Sequence, residues 1–119
     1  MVADLARTVE GLARAVHGCR GALLMGMDGI PVEQTVLAPG TDLEAIAGEY
    51  AGLLPQARAL ASELECGAAQ RFTVRGVNHR MVFAFTGGDL VLGVQAASRG
   101  LCGQIRYAIS KAMSEIGEL

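Results

Sequence analysis

The stretch Arg71-Phe72-Thr73-Val74-Arg75-Gly76-Val77-Asn78-His79-Arg80-Met81-Val82-Phe83-Ala84-Phe85-Thr86-Gly87-Gly88-Asp89-Leu90-Val91-Leu92-Gly93-Val94-Gln95-Ala96-Ala97 decides the fold. Arg71 to Arg75 alternates polar and apolar residues, the period of a half-buried strand. Gly76-Val77-Asn78 turns the chain. From His79 to Thr86 the alternation resumes, with Met81, Phe83 and Phe85 on one face and Val82 and Ala84 on the other. Gly87-Gly88 reads as a two-residue hairpin turn. Asp89 to Ala97 is apolar on both faces through Leu90, Val91, Leu92 and Val94. Such a strand belongs mid-sheet with both faces covered.

Two further strands lie upstream. Ala22 to Met27 is a short apolar run, followed by Asp28-Gly29 and then Ile30 to Val36. Asp-Gly between apolar runs predicts a hairpin, because both residues tolerate positive φ. Pro31 cannot donate to a ladder, so it marks an edge strand or a strand start.

Three helical segments complete the chain. Val2, Leu5, Val9, Leu12 and Val16 recur at steps of three and four, and Gly18 is a natural stop. Thr41-Asp42-Leu43-Glu44 matches a capping box and predicts a long helix to about Leu64. Its main apolar face is Leu43, Ile46, Ala47, Tyr50, Leu54, Ala57, Leu60, Ala61 and Leu64, and Pro55 should kink or divide it. On another face Ala45, Gly48, Gly52, Pro55 and Ala59 recur at the same spacing. That stripe reflects either the abundance of small residues or a helix packed on two sides. Ser98 can cap a last helix with the stripe Leu101, Ile105, Ala108, Ile109, Ala112, Met113 and Ile116. Lys111 near its end suits the helix dipole.

The predicted order is α-β-β-α-β-β-β-α. Strands apolar on both faces need helices on both faces, which gives an α/β (α+β) three-layer sandwich around a five-stranded antiparallel sheet. At 119 residues, with 51% hydrophobic and 18% charged, residues 1–119 make one domain with its own core. The net charge of −2 leaves no basic footprint for nucleic acid, and aromatic residues at 4% supply few stacking platforms. Nine of the ten basic residues are arginine, which reflects codon composition or suits bidentate contacts. Asp4, Arg7, Glu10 and Arg14 interrupt the N-terminal apolar residues, so no signal peptide is expected. No run of 18 apolar residues offers a membrane span, and a cytoplasmic location is expected.

Motifs of catalysis are missing from the sequence. It contains no GxxxxGK[ST], GxGxxG, HExxH or GxSxG, so no catalytic residues, metal or cofactor are expected. Cys19, Cys66 and Cys102 are widely spaced and read as reduced, buried thiols. His17 falls at a helix end, where a cap or dipole role is expected, and His79 stands at a strand start among arginines. Asp28 is a turn residue. The strongest nonrandom polar feature is Arg71, Thr73, Arg75 and Arg80 on neighbouring strands. It reads equally as a solvated edge guarded by charge or as an edge used for pairing with a second subunit.

The helix ending at Gly18, Gly21-Ala22-Leu23-Leu24 leading to Asp28-Gly29, and the capped long helix from Thr41 together resemble the Roadblock (dynein light chain) family. So do Gly87-Gly88-Asp89-Leu90 and Gly100-Leu101-Cys102-Gly103-Gln104-Ile105-Arg106. The resemblance covers the whole chain and is closest to stand-alone prokaryotic members of the gliding-motility protein B type. It implies the middle helix on one face of the sheet and the terminal helices on the other. It also implies a homodimer in which the edge strand Arg71, Phe72, Thr73, Val74 and Arg75 pairs across a two-fold. The helix surface with Ala45, Gly48, Glu49, Gly52, Gln56 and Ala59 would then meet a second helix or a partner. It implies a non-enzymatic regulator of a Ras-like small GTPase, stimulating the partner's own hydrolysis, in signalling, cell polarity or motility. A scaffold that only tethers a GTPase, a motor or a signalling protein is the first alternative. A sensor with a small ligand under the middle helix is the second.

Overall fold

The computed structural model describes residues 4–99 and 102–117. Val2, Gly100 and Leu101 lie outside the described residues, as does the side chain of Cys102. In chain order the elements are α1 (Leu5–Ala15), β1 (Cys19–Gly26), β2 (Pro31–Val36), α2 (Leu43–Tyr50), α3 (Leu53–Glu63), β3 (Arg71–Arg75), β4 (His79–Phe85), β5 (Leu90–Ala97) and α4 (Cys102–Ile116). All strand pairs are antiparallel, in the order β2-β1-β5-β4-β3. The doubly apolar β5 is the central strand, and Pro31 opens the edge strand β2.

Two cores lie on opposite faces of the sheet. On one, α1 and α4 cover Leu24, Val82, Leu92 and Val94 with Val9, Leu12, Ile105 and Ile109. On the other, α2 and α3 cover Leu23, Met81, Phe83 and Val91 with Leu43, Ala47 and Leu54. The layering is the α/β/α sandwich that strand periodicity predicts.

The middle helix is divided at Ala51-Gly52. Pro55 explains the place: it lacks an N–H, and its ring crowds the carbonyl four residues back, which is that of Ala51. The turn between β1 and β2 packs against the same place. A Cβ on Gly29 would stand 2.6 Å from the Cβ of Ala51 and 3.0 Å from the Ala47 carbonyl.

Caps and turns differ from expectation in several places. Asp42, not Thr41, caps α2: its Oδ1 accepts from the Ala45 N–H at 3.1 Å. The Thr41 hydroxyl is buried without a hydrogen-bond partner. The Asp42 carboxylate, one residue later, reaches a first-turn donor in its place. Only Gly29 of the Asp28-Gly29 pair takes positive φ (84°), and the Gly26 N–H bonds to the Ile30 carbonyl across a three-residue loop. The Asp28 carboxylate accepts from the Ile30 N–H, which holds Asp28 at negative φ. Gly87-Gly88 also forms a three-residue loop with Asp89, because the Thr86 N–H and hydroxyl both donate to Leu90 O.

Ser98 does not cap α4. Its hydroxyl donates to the Gly76 carbonyl and its N–H to that of Asn78, so it fastens the β3–β4 turn. Lys111 stands more than a turn before Ile116, and the last turn of α4 holds no basic residue. Leu60 and Leu64 are 53% and 64% exposed rather than buried. Within α3 only Leu54 is fully buried, so the C-terminal half of the helix overhangs its sheet.

Candidate functional site

The β3 strand is an open sheet edge. Antiparallel ladders alternate bonded and non-bonded pairs. The Phe85 N–H donates to Gln70 O and the Gly76 N–H to His79 O, which puts the even-numbered backbone groups of β3 toward β4. The N–H and C=O groups of Arg71, Thr73 and Arg75 therefore point away from the sheet. Phe72 packs into the α2/α3 core, so by strand alternation the side chains of Arg71, Thr73 and Arg75 stand on the α4 side.

The helix surface expected to meet a partner is open. Ala45, Gly48, Glu49, Gly52, Gln56 and Ala59 are all exposed. A Cβ added at Gly48 or Gly52 meets nothing within 4 Å, so neither glycine serves packing within this chain. Tyr50, at the end of α2, sits edge-on over Phe72 with ring centroids 6.3 Å apart, and 4.7 Å from Phe83. That contact carries the end of α2 onto the aromatic side chains of β3 and β4. Leu53, Leu60 and Leu64 extend the helix surface along α3. Helical spacing assigns the last two to the core, and only the overhang of α3 identifies them as surface. Val74, 43% exposed on the same side of the sheet, adds to the apolar area.

The arginines divide into two kinds. Arg71 and Arg75 are exposed, but Arg80 is buried at 5% exposure. Arg80 donates to the carbonyls of Ala97 and Ser98, and Arg75 donates to the same Ser98 carbonyl at 2.9 Å. Position 80 is thus neither a solvated edge charge nor part of a pairing edge but a structural brace, because its place on the inner strand β4 brings it to the carbonyls at the end of β5. Arg58 lies over the Phe85 ring at 5.1 Å and donates to Gly88 O.

No group of three or more His, Cys, Asp or Glu side chains suited to a metal occurs among the described residues. His17 and His79 are exposed. The His17 backbone N–H, not its ring, is engaged, bonding Gln104 Oε1 at 2.7 Å. Cys66 is exposed beyond the end of α3 rather than buried, since the chain there leaves the core through Glu65 in the left-handed region (φ 58°). Cys19 is half-buried, and burial pushes its thiol above the usual range. Because the thiolate is the reactive form, iodoacetamide at pH 8 should label Cys66 at least about tenfold faster than Cys19. Peptide mapping by mass spectrometry reads the ratio, and equal rates would contradict the difference in burial.

A family model described as Roadblock/LC7 domain matches residues 5–96. No curated protein matches the sequence. Among solved structures, a Roadblock/LC7 domain from Streptomyces avermitilis superposes with a TM-score of 0.85 at 19% identity, covering 97% of this chain and 96% of that one. Myxococcus xanthus MglB superposes with a TM-score of 0.86 at 18% identity, covering 96% and 92%. An MglB described as having a tetrameric arrangement superposes with a TM-score of 0.85 at 18% identity, covering 99% and 91%. At these identities the superpositions establish the shared fold. No helix among the described residues is long and apolar enough to cross a membrane.

Proposed function

The chain belongs to the Roadblock/LC7 family, and on that premise we propose that it is a homodimeric binding module that regulates a Ras-like small GTPase. Two observations support this: the open β3 edge and the α2–α3 face left bare within the chain at Gly48 and Gly52. Outward backbone groups at Arg71, Thr73 and Arg75 offer hydrogen bonds to a second β3. Gly48 and Gly52 let another helix approach closely. An edge strand with two adjoining helices can supply the ~1,600 Å² of an ordinary stable interface. The MglB structure with a tetrameric arrangement supports self-association as a property open to this fold.

The module brings no catalytic group of its own and works in the cytoplasm by reshaping its partner's site. The space under α2 is filled by Leu23, Leu43, Ala47, Leu54 and Phe83, which favours a protein-binding role over a ligand sensor there. The test is affinity capture from native lysate with a non-hydrolysable GTP analogue or GDP, followed by hydrolysis assays on the captured protein. A small GTPase enriched with the analogue, and hydrolysing GTP at least tenfold faster with the module, is the expected result. A captured GTPase with an unchanged rate would make the module a tether. Failure to capture any GTPase with a folded bait would overturn the reading.

A further inference from the structure

On the α4 side of β3, bordered by side chains of the same strand whose backbone edge is proposed to pair, lies a groove of about 270 Å³. Its walls include Arg71, Thr73 and Arg75 from β3, Arg80 from β4, and Ile105 and Arg106 from α4. Four of the chain's ten basic residues meet there, in a protein whose net charge is −2. No carboxylate lines it among the described residues.

The arrangement concentrates like charge. Arg75 and Arg80 are cross-strand neighbours whose guanidinium nitrogens converge on one carbonyl, that of Ser98, at 2.9 and 3.1 Å. An anion held in the groove would be attracted by the guanidinium groups that line it. Contacts with the Ala97 and Ser98 carbonyls help to fix Arg80, while Arg71, Arg75 and Arg106 stand exposed at the mouth. A guanidinium presents a rigid fork of donors matched to the oxygens of phosphate, and the Thr73 hydroxyl adds a donor among them. The volume lies near the small end of ligand sites and suits a compact anion rather than a folded segment.

We propose that this groove binds a phosphate-type oxyanion. Arg71 and Arg106 hold it from opposite walls, Arg80 supplies fixed charge beneath it, and Thr73 donates a hydrogen bond. Side chains stand across the plane of a sheet while edge N–H groups lie within it. Anion binding and strand pairing at β3 are therefore compatible, and the site does not require the dimer.

The test is thermal unfolding in inorganic pyrophosphate against sodium chloride at matched ionic strength. Native-state binding raises Tm by mass action. A rise of about 5 °C or more beyond the chloride control is expected at a hundredfold excess over Kd. Calorimetric titration should give a Kd weakened at least tenfold in Arg71→Gln/Arg106→Gln and unchanged in Arg14→Gln, which removes a charge on the exposed face of α1. An ADP arm identifies the source: equal affinity assigns the site to free diphosphate, and tighter binding assigns it to a nucleotide. Equal shifts in chloride and pyrophosphate would overturn the proposal, as would undiminished binding in the double variant. Sedimentation of the same samples reads the oligomeric state separately, so loss of the dimer and loss of the anion site are distinguishable.

Discussion

Replacing Phe83 by alanine is expected to destabilise the fold by about 3–5 kcal/mol, the usual range for a fully buried aromatic side chain. Phe83 is 0% exposed and lies opposite Phe72 on one side and Gly93 on the other. Its ring stacks at a tilt on Tyr50 with centroids 4.7 Å apart. Gly93 is what gives the ring its room. A Cβ there would come within 3.0 Å of Phe83 Cε1, 3.0 Å of Met81 Cε and 2.7 Å of Leu23 Cδ2. With no side chain at position 93 to fall inward, the cavity left by Phe83→Ala cannot collapse well, and the cost should lie toward the upper end. Urea unfolding followed by circular dichroism measures it. Should the alanine variant fail to fold, Phe83→Leu is the readable substitute, at roughly 1–3 kcal/mol. Val77→Ala, at a position 95% exposed, should change stability by less than about 0.5 kcal/mol. A cost below about 1 kcal/mol for Phe83→Ala would mean that the α2/α3 core is not packed as described.

The second large effect concerns association. Thr73→Pro removes an N–H that points away from β4, so the β3–β4 ladder keeps its bonds while the free edge loses a donor. Proline is tolerated on an edge in this orientation, and Thr73 is exposed. Each protomer of a β3-paired dimer would lose one strand-to-strand hydrogen bond and leave a carbonyl of its partner unsatisfied. At about 1 kcal/mol or more per bond, two bonds amount to a dimer weaker by about thirtyfold or more. Analytical ultracentrifugation across a dilution series reads this, with thermal unfolding as the check that the monomer remains folded. A folded Thr73→Pro variant that dimerises like the parent chain would exclude β3 pairing. Gly52→Arg would then ask whether the helix face alone holds the pair, since a side chain there meets nothing within the chain.

Much of the architecture is legible in short stretches of the chain, because the signals involved are local. Period-two alternation in Met81-Val82-Phe83-Ala84-Phe85 sorted its side chains between two cores, and the structure keeps that sorting. The doubly apolar run through Val91, Leu92 and Val94 required a central strand, and β5 is central. Pro31 marked an edge strand and Pro55 a broken helix, since each removes a backbone donor wherever it stands.

What the tertiary structure decided depends on distances between segments far apart in sequence. The cap of α2 fell to Asp42, whose carboxylate accepts from the Ala45 N–H, while the Thr41 hydroxyl is buried away from the first-turn donors. Arg80 became a buried brace only because the end of β5 brings the Ala97 and Ser98 carbonyls to it, 17 and 18 residues along the chain. Helical spacing put Leu60 and Leu64 in line with Leu54, but it cannot tell where the sheet beneath a helix ends. The candidate surface shows the same division. Its residues could be named from spacing and resemblance, but the outward direction of the Thr73 backbone and the contact of Tyr50 with Phe72 follow from strand register and helix placement. Those are set by the packing of both cores at once, which no short stretch of sequence encodes.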